Sequence, residues 1–215
     1  MIVEVWSDVA CPWCYIGKRR FERALQAFDG ADEVSVTWRS FQLDPSIPRG
    51  VRRPHDESLA EKLGATIDQV RVMNERVTAL AAAEGLDYHF ERYVTVNTLD
   101  AHRMAHVAAA HGVGPEMHER LLRGQLIDGE VLDDPDTLVR LATDVGVPEI
   151  EARRVAESDA HADDVAADIR DARMLGISGV PFFAIDRRIG VSGAQSSEHF
   201  LLALEHAREA VPVSE

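Results

Sequence analysis

The sequence predicts an α/β protein in which one small mixed domain is interrupted by a large all-helical insertion. Three observations carry that expectation. Residues 1–45 read as strand, helix, strand; the text from about 56 to 175 is almost wholly helical; strands return at 181–191 ahead of a closing helix. The mixed parts, 1–50 with 176–215, make roughly 100 residues, an ordinary domain size. The insertion, 51–175, is long enough to bury a core of its own, and its last helix is placed to pack on the sheet.

Ile2 to Trp6 is a short β-prone run in which Val3 and Val5 share a face while Glu4 points the other way. A helical pattern then runs to about Phe28, carried by Tyr15, Phe21 and Leu25 and stopped by Gly30. Val34, Val36 and Trp38 alternate with Ser35, Thr37 and Arg39, the period of a half-buried strand. Pro45, Pro48, Gly50 and Pro54 mark a long connection without regular pattern.

The helical text carries its own punctuation. Thr66 with Gln69 makes a capping box before Val70, Met73, Val77 and Leu80, and Gly85 closes that helix. Asn97 or Thr98 caps the next, Pro115 opens another, and Asp134-Pro135 gives a cap and a first-turn proline. Pro148 opens one more, and Val165, Ile169, Ala172 and Leu175 line the last, ended by Gly176. Residues 181–185 and 188–191 flank Asp186-Arg187, a hairpin turn less favourable than Asp-Gly. Ser196 or Ser197 caps a final helix with Phe200, Leu201, Leu204 and Ala207 on one side.

Charge narrows the function. With 23 Lys plus Arg against 37 Asp plus Glu, the formal net charge is −14. That field repels polyanions, and the densest basic run, Lys18-Arg19-Arg20, is followed by Glu22, so no nucleic-acid partner is expected. No stretch approaches the roughly 20 apolar residues of a spanning helix, so no membrane role is expected. Met1 leads into a run broken by Glu4, too short for a secretory signal, which makes the expected location cytoplasmic.

The sequence holds two cysteines, Cys11 and Cys14. Random placement gives this spacing about one time in a hundred, so the pair reads as a motif. Stable disulfides are uncommon in the cytosol, which favours catalysis, redox sensing or metal binding. At a strand–helix junction the first cysteine sits where unpaired N–H groups and the helix dipole stabilise a thiolate. Pro12 suits the first turn because its missing N–H had no partner there. Cys14, one turn on, can resolve a mixed disulfide formed at Cys11, so the two roles are unequal. A zinc site would need His102, His106 or His111 to complete four ligands, and metal-site pairs lie in turns rather than opening an apolar helix. Buried inert thiols are the other plain reading.

The whole pattern resembles the thioredoxin superfamily and, within it, the DsbA-like family of the FrnE type. The resemblance spans essentially the full chain and rests on residues 5–17 around Cys11-Pro12-Trp13-Cys14, on 97–103, on 176–183 and on 189–195. It implies a thioredoxin-like fold with a large helical insertion. It implies a cis bond at Val180-Pro181 that sets the Val180 backbone beside Cys11, ready to pair with an extended substrate. It implies Pro12, Trp13, Val180 and Pro181 as substrate contacts, with Asn97, His102 and Arg103 lining the groove between domains; helix capping and a solvated face are their plainer roles. Glu4 is either a proton acceptor beneath the disulfide or an exposed strand residue. Some members carry a second cysteine pair, absent from this sequence.

The resemblance implies a thiol-disulfide oxidoreductase acting on a protein or low-molecular-weight disulfide or thiol, with Cys11 and Cys14 catalytic, no metal and no tightly bound cofactor. Glutathione is a candidate co-substrate. Related 2-hydroxychromene-2-carboxylate isomerases and kappa-class glutathione transferases commonly place serine at the nucleophile position. The alternative is therefore a glutathione-dependent isomerase or transferase acting on an aromatic or polyketide-like molecule; a zinc-stabilised binding module is a third. The sequence assigns no oligomeric state.

Overall fold

The structure is a computed structural model, and it describes residues 1–209. Residues 210–215, the end of the expected mixed domain, lie outside the described residues. Strand β1 (Ile2–Ser7) is central: it pairs parallel with β2 (Ser35–Ser40) and antiparallel with β5 (Phe182–Ile185), which pairs antiparallel with β6 (Ile189–Ser192). The order is β2-β1-β5-β6. A parallel pair needs a crossover, and helix α1 (Pro12–Ala27) supplies it.

The alternation of β1 decides what each sheet face meets. Val3 and Val5, with Phe183 and Val191, pack on Phe21 and Ala24 of α1 and on Phe200, Leu204 and Ala207 of α9 (Ser197–Glu209). Phe21, Phe183 and Phe200 form a ring cluster with centroids 4.5–5.6 Å apart. Trp6 and Ala184 occupy the other face against Ala172 of α8 (Ala162–Met174) and Ile177. The Trp6 indole N–H donates to the Asp168 carbonyl at 3.0 Å, so the last helix of the helical stretch covers the sheet.

The hairpin turn forms with Asp186 and Arg187 both at left-handed φ, 49° and 53°. Non-glycine residues resist that conformation. Partners hold it here: the Ile2 N–H donates to Asp186 Oδ1 at 2.7 Å, and Arg187 reaches Glu4 and Asp171.

In the helical stretch α2 (His55–Leu63) and α3 (Ile67–Ala82) come first, and Thr66 and Gln69 form both bonds of the capping box. Then follow α4 (Leu99–Ala110), α5 (Gly114–Arg123) with a π turn at Gly124–Asp128, α6 (Pro135–Asp144) and α7 (Glu149–Ala156). Asp134 caps α6 by accepting from the Thr137 N–H, and Ser196 caps α9 by accepting from the His199 N–H. Pro148 precedes α7 as its cap residue rather than opening its first turn. The expected patternless connection contains a strand, β3 (Arg53–Pro54), paired with β4 (Val94–Thr95). Two-residue strands 40 positions apart leave no periodicity to read. Met104, Val107, Met117, Leu121, Leu138 and Leu141 centre a helical core. A separate cluster joins Cys11, Cys14, Tyr15 and Ile16 to Ala81, Leu86, Tyr88, Tyr93, Leu122 and Leu126. The cysteines therefore sit at the seam between sheet and helical stretch.

Candidate active site

Cys11 is the N-cap of α1 and Pro12 its first residue, so the first cysteine meets the open end of the helix. A turn closes the loop ahead of it, its N–H donating to the Asp8 carbonyl at 3.0 Å. The Val180–Pro181 bond is cis, and Cys11 Sγ lies 3.7 Å from the Val180 carbonyl oxygen. Gly17 allows this approach: a Cβ there would sit 2.9 Å from Pro181 Cγ. Trp13 is exposed, Pro12 and Val180 are half-buried, and Pro181 is buried beneath them.

Both cysteines are free thiols, and Cys14 is completely buried. Burial first, then the neighbouring Cys11 sulfur, push the Cys14 thiol well above its ordinary value; the Ser7 side chain and Asp8 backbone offset part of this. Two tyrosines of the helical stretch hold the cysteine loop from outside. Tyr88 donates to the Pro12 carbonyl at 2.7 Å and Tyr93 to the Ala10 carbonyl at 2.8 Å. Their hydroxyls are held protonated mainly by burial.

Beneath the loop lies buried Asp8. Its carboxylate accepts from the Leu43 N–H at 2.7 Å and lies 3.3 Å from His102 Nε2. Ser7 Oγ lies 2.9 Å from Nε2 of His118, whose ring stacks on Trp38 with centroids 3.8 Å apart. Burial, then Lys18 and His102, hold His118 well below the usual imidazole value. Ser7, Trp38, His102, His106 and His118 line a cavity of about 240 Å³. On the other side Asp8, Ala10, His55, Tyr93 and Thr98 line one of about 120 Å³.

The remaining expected site residues divide. His102 reaches the cysteine loop through Asp8. Asn97 sits one residue ahead of Thr98, the N-cap of α4, accepting from the Leu99 N–H at 2.8 Å and donating to the Ile47 carbonyl at 2.6 Å. Arg103 is 1 % exposed and donates to the carbonyls of Val155, Ser158 and Ala160 and to Asp100, so its guanidinium is used in bracing α4. Glu4 corrects both of its expected roles. It is buried, and its period-2 position puts it on the face of Trp6, away from α1. Hydrogen bonds from Arg187, then Arg39, outweigh burial and lower its pKa, which makes it a poor proton acceptor. Lys18 and Arg19 of the basic run pair with Glu119, and Arg20 pairs with Glu84. Burial opposes the charge on Glu119, but Arg19, Lys18 and Tyr15 bring its carboxyl down to about 2.

His102 and His106 contact different carboxylates, Asp8 and Asp168. Among the described residues no group of three or more His, Cys, Asp or Glu is arranged to hold a metal ion. Sequence reasoning missed Ser7, Asp8, Tyr88, Tyr93 and His118. The first two had a signal in their place just before the motif; the others had none, because their partners lie 76 to 111 positions away.

The family model of a DsbA-like thioredoxin domain matches residues 2–205. A probable DsbA oxidoreductase from Streptomyces coelicolor shares 41% identity over 100% of this chain and 93% of its own, with a TM-score of 0.96. The uncharacterised protein YwbO of Bacillus subtilis is 27% identical over 94% of each chain. The cytosolic disulfide reductase DsbM of Pseudomonas aeruginosa, solved with glutathione, has the same fold: 18% identity, TM-score 0.67, 97% of this chain and 100% of that one covered.

Proposed function

Because the chain belongs to the DsbA-like thioredoxin-domain family, we propose that it is a thiol-disulfide oxidoreductase in which Cys11 attacks and Cys14 resolves. The Cys11 thiolate attacks a substrate disulfide, forms a mixed disulfide and expels one substrate thiolate. Cys14 then loses its proton and attacks Cys11 Sγ; the Cys11–Cys14 bond forms and the second substrate thiolate leaves. Two electrons pass to the substrate, and the same steps run backwards when a dithiol is oxidised.

The observation that carries this reading is the unequal setting of the two thiols. Cys11 caps the helix beside the Val180 carbonyl, whereas Cys14 is buried and held protonated. A nucleophile needs the first environment, and a resolving thiol, used only inside the mixed disulfide, tolerates the second. Pro12, Trp13, Val180 and Pro181 form the substrate rim, where an extended peptide pairs with the Val180 backbone. Glutathione serves as a thiol co-substrate; the glutathione complex of the P. aeruginosa reductase supports that choice. The thioredoxin-like part is 1–50 with 176–215, the helical part is 51–175, and the protein works in the cytoplasm.

Reduction of insulin by dithiothreitol tests the reading. Catalysis falls to the uncatalysed rate in Cys11→Ala, and Cys14→Ser accumulates a mixed disulfide visible by mass. Equal turnover by wild type and Cys11→Ala overturns it. Full glutathione-dependent turnover of an aromatic substrate by Cys14→Ser would replace it with the isomerase or transferase reading.

A further inference from the structure

A thiolate at Cys11 draws on the N–H groups at the open start of α1, and few are available. Pro12 has none, and the Cys14 N–H donates to the Cys11 carbonyl at 3.0 Å. An N-cap side chain accepts from the second or third helical N–H, which leaves that of Trp13. The Trp13 N–H shares a planar trans peptide with the Pro12 carbonyl, so the two point in opposite directions. The Cys11 N–H, which donates to the Asp8 carbonyl at 3.0 Å, shares its own with the Ala10 carbonyl. Tyrosines of the helical stretch hold both carbonyls: Tyr88 donates to that of Pro12 at 2.7 Å and Tyr93 to that of Ala10 at 2.8 Å. The tyrosines are themselves fixed. The His55 N–H donates to the Tyr93 carbonyl at 3.1 Å, and the rings of these two residues stack with centroids 4.3 Å apart. Tyr88 stacks on Tyr15 at 6.3 Å and meets Phe90 edge to face at 5.8 Å.

We propose that Tyr88 and Tyr93 are positioning residues for Cys11: by fixing the peptide planes on either side of it, they keep the N–H groups at the helix start aimed where its thiolate forms. This rests on the disulfide-exchange reading and names what orients the nucleophile. Without the Tyr88 hydroxyl the Pro12–Trp13 plane loses a restraint and can tilt, and the Trp13 N–H tilts with it. Without the Tyr93 hydroxyl the Ala10–Cys11 plane does the same and carries the Cys11 side chain along. Either loss also withdraws a donor from a carbonyl beside the buried cluster that holds both sulfurs. Each change costs the thiolate more than the thiol, because only the charged form depends on aimed dipoles. Burial keeps both phenols protonated, so each remains a donor while Cys11 ionises. Both hydroxyls act through the backbone and take no part in the bond exchange.

Alkylation of the reduced protein by iodoacetamide, followed against pH, reads the Cys11 thiolate, since Cys14 is buried and held protonated. Equilibration with glutathione reads the redox balance: the Cys11–Cys14 disulfide and two glutathione thiols on one side, the dithiol and glutathione disulfide on the other. Tyr88→Phe and Tyr93→Phe keep the rings and lose the donors. In each, the alkylation midpoint moves to higher pH by about half a unit to one unit, the scale of one hydrogen bond. The glutathione equilibrium moves toward the protein disulfide by roughly three- to tenfold, because a stabilised thiolate favours the reduced form. Tyr15→Phe loses a hydroxyl bond to Glu119 within the same stack and leaves both readings near those of the wild type. Wild-type midpoints and equilibria in both Tyr88→Phe and Tyr93→Phe overturn the proposal. So does an equal shift in Tyr15→Phe, which would trace the effect to packing. If one of the two variants does not fold, the other decides, since each tyrosine holds its own plane. The wild type decides without either: by NMR, the Tyr88 and Tyr93 hydroxyl protons exchange slowly with water in the dithiol and disulfide forms alike, and free exchange of either overturns the clamp. A wild type that never equilibrates with glutathione overturns the exchange reading instead, and the clamp's role falls with it.

Discussion

The two faces of the central sheet are built from the same strand by opposite means. On the α1 face Val3, Val5, Phe21, Phe183 and Phe200 make an apolar core, with Lys18 and His118 at its edge against Trp38. On the α8 face, around Trp6, Glu4 meets Arg39 and Arg187, and Asp168 meets Arg39, His106 and the Ser40 N–H. A charge on the dry face would have to be desolvated without compensation; on the other face each carboxylate has its partners. The cysteine helix belongs to the dry side. Its second thiol sits in the separate cluster at the seam, where burial and the neighbouring Cys11 sulfur hold it protonated, and the one carboxylate of β1 lies on the opposite sheet face.

Three substitutions bear on this difference. Phe183 is fully buried among aromatic rings, and Phe183→Ala leaves a cavity the rigid sheet cannot close, so urea denaturation loses about 3–5 kcal/mol. A loss below about 1 kcal/mol would mean that the dry face is not the main source of stability. Glu4→Gln should cost less, about 1–2 kcal/mol, because both guanidiniums left behind reach water. The Cys14 thiol titration, followed by absorbance of the thiolate, should not move in that variant. A clear shift would tie Glu4 to the cysteines and erase the separation of the faces.

The smallest effect concerns acid. Burial opposes the charge on Asp168, but bonds from His106 and the Ser40 N–H keep its pKa below the ordinary 3.8. The folded value is the lower one, so this stabilisation is complete above about pH 4 and fades as pH falls toward the folded value. Asp168→Asn should therefore show a flatter decline of stability below pH 4, by at most about 1.4 kcal/mol per pH unit. Parallel curves for variant and wild type would show that the α8-face network contributes nothing in acid.

Much of the frame was legible because it is local. The capping box at Thr66, the Asp134 cap and the strand alternation of β1 follow from spacings of two to four residues. So does the placement of Cys11 and Cys14 on one turn. The β3–β4 pair, the tyrosines over the cysteine loop and the bracing role of Arg103 were not legible. Each depends on a partner 40 or more positions away, and none leaves a periodic trace. Glu4 shows both sides: its facing away from Val3 and Val5 was readable, whereas the two arginines that neutralise it were not.

The sequence by itself determined the strands of the main sheet, most helices, their order and a redox-type cysteine pair at a helix start, since backbone sterics and capping bonds act within a few residues. Tertiary structure alone decided how that pair is environed. It brought Val180 to Cys11 across 169 positions and His118 to Ser7 across 111. The physical reason is that protonation and proton access depend on desolvation and on a few directed contacts. Those are properties of the packed chain and of no segment within it.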